Sequence, residues 1–202
     1  MSANQLVNWE KRYQQGQTGW DRGAPSPALD HCIASGNITA KQHVLIPGCG
    51  HGYEVIALAR LGIHVTALDL APSAIKALEN SLRQEGLSAT LICGDLFEYD
   101  ADQTFDAVYE QTCLCALSPN MRKPYEQKLY QWLKPEGTLY FSMMQTGSEG
   151  GPPFHCDWLD MQKLFDASRW QWPEKPPYMI SRPEGKHFEL LYQLTKSGGF
   201  DE

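Results

Sequence analysis

Three glycines alternate with other residues after a short apolar run, in Val44-Leu45-Ile46-Pro47-Gly48-Cys49-Gly50-His51-Gly52. A residue without a side chain lets the backbone turn sharply and lets a ligand come close. Asp69 ends the next apolar run, roughly twenty residues on, where dinucleotide folds place the acid that grips a pair of ribose hydroxyls. A second acid, Asp95, stands in Gly94-Asp95-Leu96-Phe97 after a third run. It is spaced to accept from an adenine amino group while Leu96 and Phe97 flank the ring, and it would equally serve as a helix cap. The Gly-x-Gly-x-Gly spacing differs from the Gly-x-Gly-x-x-Gly that packs a helix against a pyrophosphate, which argues against NAD.

These residues need a scaffold that brings successive strand ends together. Short apolar runs predict strands over residues 43–46, 64–68, 90–93, 105–109, 138–144 and 187–194. Helical spacing predicts helices over residues 54–61, 72–83, 120–133 and 157–165, with Pro72 suited to a first turn. Strands alternating with helices predict an α/β fold with a parallel sheet covered on both faces. Residues 173–183 are Pro-rich and read as irregular. The forty residues before the first strand concentrate Trp9, Tyr13 and Trp20, and they read as an added helix and loop across the top of the sheet. With no repeat or linker, residues 1–202 read as one domain.

Composition narrows the partners. The net charge is −7 and no Lys/Arg cluster interrupts it, so no nucleic-acid partner is expected. The first fifteen residues hold no apolar run and no stretch is long enough to cross a bilayer, so a cytoplasmic chain without membrane partners is expected. The six cysteines are read as reduced thiols, and the absence of a Cys-x-x-Cys pair argues against a metal site. A monomer acting on a small molecule is the default.

Further segments carry a family resemblance. They are Trp9 with Gly16-Gln17-Thr18-Gly19-Trp20-Asp21-Arg22-Gly23, then Ile46-Pro47-Gly48-Cys49-Gly50, Asp69, and Phe105-Asp106 with Thr112-Cys113-Leu114-Cys115-Ala116-Leu117. Gly150-Gly151-Pro152-Pro153-Phe154 and Leu191-Tyr192-Gln193-Leu194-Thr195 complete them, so they span nearly the whole chain. The loop, Asp69 and the Gly94–Phe97 element resemble the class I S-adenosylmethionine-dependent methyltransferases. The full set resembles the thiopurine S-methyltransferase superfamily, closest in pattern to its thiol and halide branch.

The resemblance implies a Rossmann-like fold. Its seven-stranded, mostly parallel sheet would have helices on both faces and an antiparallel last strand. Residues 1–40 would cover the cofactor. Trp9 and Trp20 would lie over it with Tyr13 nearby, and an indole face attracts the sulfonium cation. Gly48 and Gly50 would sit beneath the methionine moiety, Asp69 would take the ribose hydroxyls, and Asp95 and Leu96 would flank the adenine. Glu110 and Gln111 follow the fourth strand and are the catalytic candidates, with Gln111 near both cofactor and substrate. Gln111 departs from the thiopurine enzymes, which carry arginine there, and a neutral amide supplies less field to an anion. Arg22 and Arg182 are the other cations to consider. Tyr13, Trp20, Pro153 and Phe154 would face the substrate.

The implied reaction is methyl transfer from S-adenosylmethionine to a small soft nucleophile: a thiol, sulfide or other chalcogen, a halide, or a thiopurine. S-adenosylhomocysteine is the product. A thiol is already partly ionised near neutral pH, so no dedicated base is required. Tyr109, Glu110, His155 and His187 are the candidates for one. The rival readings are an oxygen or nitrogen methyltransferase and a cofactor-binding module without catalysis.

Overall fold

In the computed structural model, which describes residues 7–198, the chain begins with α1 (Trp9–Gln14) and α2 (Pro27–Ala34). Asn8 caps α1 by accepting from Lys11 N–H at 2.9 Å. Ser26 caps α2, and Pro27 occupies its first position, where the missing N–H costs nothing. Then follow β1 (His43–Pro47), α3 (Tyr53–Arg60), β2 (His64–Asp69), α4 (Pro72–Glu85), β3 (Thr90–Cys93) and β4 (Phe105–Gln111). After two 3₁₀ turns come α5 (Arg122–Trp132), β5 (Leu133–Gln145), α6 (Trp158–Leu164), β6 (Trp170–Gln171), β7 (Tyr178–Ser181) and β8 (Phe188–Lys196).

The sheet runs β3-β2-β1-β4-β5-β8-β6, with β7 also paired to β8. Strands β1 to β5 are parallel, and β8 runs antiparallel to β5. Adjacent strand residues point to opposite faces. Leu45, Val108 and Leu139 therefore join one buried cluster with α5 and α6, while Val44, Ala107 and Tyr140 join another with α2, α3 and α4. Burial on both faces is why these strands read as apolar runs.

The doubly covered, mostly parallel sheet with its antiparallel β8 matches the expected fold. Its strand count is eight among the described residues, one above the implied seven. Two short strands, β6 and β7, lie in or beside the Pro-rich stretch. Pro173, Pro176, Pro177 and Pro183 flank β7 and do not interrupt it, and an edge position tolerates them. The helix expected over 120–133 begins as a 3₁₀ turn at Pro119–Met121 and yields Leu133 to β5. Lys134–Gly137, between the expected helix and the strand expected from 138, form an irregularity inside β5, with Glu136 at φ 61°.

Candidate cofactor site

β1 delivers its chain to the glycine loop at the carboxyl edge of the sheet, where open α/β folds bind ligands. Gly48 and Gly50 have φ of 61° and 55°, the left-handed region that side chains disfavour. Their openness serves the protein's own packing too. A Cβ on Gly48 would lie 2.8 Å from Cys113 Sγ, and one on Gly50 would lie 2.9 Å from the Tyr13 hydroxyl.

Asp69 ends β2 beside this loop. Its Oδ2 accepts from Gly50 N–H at 2.8 Å and its Oδ1 from Ala71 N–H at 2.9 Å. Burial pushes its pKa up, and the N–H groups of Ala71 and Gly50 pull it back. Each carboxylate oxygen has two acceptor sites, so the carboxylate can still take ribose hydroxyls. Gly94 N–H donates to Asp69 O at 3.0 Å, which brings the end of β3 alongside. Asp95 follows, and its Oδ1 accepts from Phe97 N–H at 2.8 Å. That bond closes a local turn, and no helix follows it. Leu96 and Phe97 are half-buried against the α5 face of the sheet.

The aromatic segment is gathered over the loop. Trp20 meets Trp9 edge-on at 5.2 Å and Tyr13 at 5.6 Å, and Tyr13 meets His51 at 5.2 Å. The Arg12 guanidinium lies 5.4 Å from the Trp9 ring and 5.9 Å from the Trp20 ring, so these indoles already face a cation. At α1, Glu10 accepts from Ser73 N–H at 2.9 Å and from Ser73 Oγ at 2.6 Å, tying the segment to the first turn of α4.

Three consecutive residues clamp the strap beyond α1. Trp20 O accepts from Arg182 Nη2 at 2.8 Å. Asp21 Oδ2 pairs with His51 Nδ1 at 2.5 Å and accepts from the Tyr53 hydroxyl at 3.4 Å. Arg22 donates to Glu189 Oε1 at 3.0 Å and to Ser181 O at 3.3 Å. Arg182 reaches the same Glu189 oxygen at 3.1 Å, so neither arginine is a free cation. Sequence reasoning missed Glu10, Ser73, His51 and Glu189 here. Trp20, Asp21 and Arg22 carried a signal through the Trp-Asp-x-Gly element, and Arg182 as a candidate cation.

Glu110 and Gln111 diverge at the end of β4. Gln111 lies on the Tyr109 face, and its Oε1 accepts from the Tyr109 hydroxyl at 3.2 Å. Glu110 is fully buried on the opposite face and accepts from Leu114 N–H at 2.6 Å. It is not placed as a solvent-accessible base. His155 Nδ1 accepts from Thr146 N–H at 3.1 Å, which places the proton of the neutral ring on Nε2, whereas His187 Nδ1 pairs with Glu184 at 3.2 Å and keeps Nε2 as an acceptor. Pro153 is exposed and Phe154 half-buried. Phe154 N–H donates to Cys115 O at 2.7 Å, which joins the Gly-Gly-Pro-Pro loop to the turn after β4. The six cysteines are free, and burial pushes Cys32 up to about 12 and Cys156 up to about 11. A cavity of about 700 Å³ lined by Lys41, His43 and His64 lies at the amino ends of the strands, away from every expected site residue.

The family model described as Thiopurine S-methyltransferase (TPMT) matches residues 4–186 of this chain. The chain belongs to the thiopurine S-methyltransferase family. Membership makes it an S-adenosylmethionine-dependent methyltransferase, with S-adenosylhomocysteine as product. Within the family's reach, it is 34% identical to thiocyanate methyltransferase 1 of Brassica oleracea, over 88% of this chain and 80% of that one. It is 31% identical to probable thiol methyltransferase 2 of Arabidopsis thaliana, over 82% of this chain and 74% of that one. The fold resembles 1,6-didemethyltoxoflavin-N1-methyltransferase of Burkholderia thailandensis, solved with S-adenosylhomocysteine, at a TM-score of 0.74 and 20% identity over 94% of this chain and 85% of that one. The residues of this family member suit the donor: an acid at the end of β2 retains acceptor capacity beside the glycine loop.

Proposed function

We propose that this chain methylates a small soft nucleophile, a thiol, sulfide or related chalcogen anion, in the crevice at the carboxyl ends of β1, β2 and β4. Halides and thiopurines belong to the same class of acceptor. The observation that carries this reading is Asp69 bound to the glycine loop at Gly50, directly beneath the Tyr13 hydroxyl of the aromatic cover.

The bound donor supplies an activated methyl group on a sulfonium. Asp69 holds the ribose hydroxyls, Gly48 and Gly50 leave room for the methionine moiety, and Asp95 and Leu96 flank the adenine. Trp9 and Trp20 face the cationic centre, an attraction of roughly 0.5–2 kcal/mol. With Tyr13 they also keep water from the transfer site. Gln111 reaches towards donor and acceptor as a neutral amide, and Trp20, Tyr13, Pro153 and Phe154 shape the acceptor side. In-line displacement needs alignment, which these walls provide. The leaving group departs neutral, so no acid is called for.

Burial of Glu110 and the bond that His155 Nδ1 accepts take two of the candidate bases out of use, which favours an acceptor that ionises by itself. That supports a thiol over a phenol or amine. The reading includes one domain over 1–202, with 1–40 as the cover, acting as a cytosolic monomer on small molecules. Free cysteines support the reducing compartment. No helix of the described residues is long and apolar enough to cross a membrane.

A panel of thiols, sulfide, halides, thiopurines, phenols and amines with labelled donor tests the acceptor class. Volatile methylated sulfur products in the headspace are the expected result. Steady turnover of phenols or amines with none of these products would overturn it, and calorimetry showing binding of NAD alone would remove the donor as well.

A further inference from the structure

Glu110 has no part in the transfer just described, yet it is the most completely buried acid at the carboxyl edge of β4. Its Oε1 accepts from Leu114 N–H at 2.6 Å, and its Oε2 is buried without a hydrogen-bond partner. The charged and titratable groups near enough to act on it are Cys113 and Cys115 of its own turn, Arg122 and Tyr125 of α5, Cys156 after β5 and, from β8 two strands away, Glu189. Arg122 is the one cation among them. Its Nη2 is given to His155 O at 2.9 Å, and its Nε is itself unpartnered. A carboxylate with one oxygen dry and undonated costs more there than a neutral acid, whose unpaired hydroxyl carries only the penalty of an uncharged polar group.

The turn that Glu110 holds is strained. Thr112 has φ 61°, which a β-branched residue rarely adopts, and such strain persists only where the surroundings enforce it. Cys115 Sγ donates to Thr112 O at 3.1 Å, and Cys115 O accepts from Phe154 N–H at 2.7 Å. Cys113 Sγ stands 2.8 Å from where a Gly48 Cβ would be. One turn thus touches the glycine loop on one side and the Gly-Gly-Pro-Pro loop on the other.

We propose that Glu110 is a positioning residue that works as a neutral acid, holding the Thr112–Cys115 turn against Gly48 and the Phe154 loop so that the crevice keeps its shape. The inference rests on the crevice being the methyl-donor site. Burial supports the neutral form by pushing the Glu110 pKa up to about 8, opposed by the N–H groups of Leu114 and Cys113 and raised further by Glu189. Losing that proton places a carboxylate with one undonated oxygen in the interior, and the strained turn is the element beside it that can yield.

Glu110→Gln keeps an acceptor for Leu114 N–H and cannot ionise. Donor affinity is measured by calorimetry from pH 6.5 to 9.5 for the wild type and this variant. Wild-type affinity is expected to weaken roughly tenfold relative to Glu110→Gln across that range, with the two nearly equal at the acid end. The comparison cancels proton equilibria that the donor brings. Glu110→Ala is expected to bind weakly at every pH. Parallel pH curves for wild type and Glu110→Gln would overturn the proposal. A second readout needs no donor: hydrogen exchange at the Leu114 amide, corrected for its intrinsic pH dependence. Loss of protection above pH about 8 in the wild type alone supports the role, and equal protection in both proteins overturns it. If the donor binds neither protein while exchange still separates them, the donor assignment falls and the role of Glu110 in the turn stands.

Discussion

His51 Nδ1 lies 2.5 Å from Asp21 Oδ2, joining the glycine loop to the residue after Trp20. The pair makes the cover and the loop one unit, because His51 also packs against Tyr13, whose hydroxyl abuts Gly50. Its two side chains are 32% and 17% exposed, so solvent screens it and its worth to stability is small. Its value lies in holding Trp20 in place.

Asp21→Asn should therefore weaken donor binding by about fivefold, close to 1 kcal/mol, with little change in melting temperature. A double-mutant cycle with His51→Ala, read by calorimetry, checks the coupling. Additive effects would mean that the pair does not act on the donor.

Asp69→Asn should cost the donor about 1.5–3 kcal/mol, the scale of a hydrogen bond to a charged acceptor. Asn keeps one acceptor for Gly50 or Ala71, so unfolding midpoints should move much less than affinity. Asp69→Ala strands both N–H groups and should harm folding as well. Equal losses of affinity and stability in the Asn variant would count against a ribose contact.

Glu189 receives Arg22 and Arg182 on one oxygen; Glu189 and Arg182 are buried and Arg22 is mostly so. Glu189→Ala leaves two guanidiniums near each other with only the more exposed Glu184, 3.7 Å from Arg182, as a remaining anion. Breaking a buried ionic group in this way costs about 3–5 kcal/mol, so thermal melting should show a large fall. An unchanged melting temperature would show that water or another acid takes its place.

Gly48→Ala puts a methyl group 2.8 Å from Cys113 Sγ at a φ of 61°. Strain and overpacking of this kind cost about 1–3 kcal/mol. The displaced turn should lower kcat more than the same substitution at exposed Gly62, which has a similar φ and open space around it. Equal kinetic effects at the two sites would argue that Cys113 does not set the crevice.

The stability of the chain should itself report the proton on Glu110. Its folded pKa, about 8, lies above the ordinary 4.5, so the folded state binds the proton more tightly. The stability that this proton contributes is full below pH 4.5, declines as pH rises, and is gone above about 8. Denaturant midpoints of wild type and Glu110→Gln should separate across that window in favour of the variant. Curves that stay parallel would place an ionised Glu110 in the folded state.

The glycine loop, Asp69 and the alternating runs were legible in the sequence because each is local. A turn needs its glycines in order, an acid at a strand end is fixed by the strand's length, and burial on both faces writes itself as an apolar run. Period-two geometry likewise separates Glu110 from Gln111. Packing alone decided that the Glu110 face would be dry and that Gln111 would stay half-buried beside Tyr109. The strand β7 was hidden because its prolines flank a four-residue edge that gains its partners only from β8. The clamp on Trp20, Asp21 and Arg22 was hidden for a stronger reason. Its partners His51, Arg182 and Glu189 are up to 167 residues away in the chain, and no local spacing encodes which side chains the sheet will carry to one edge.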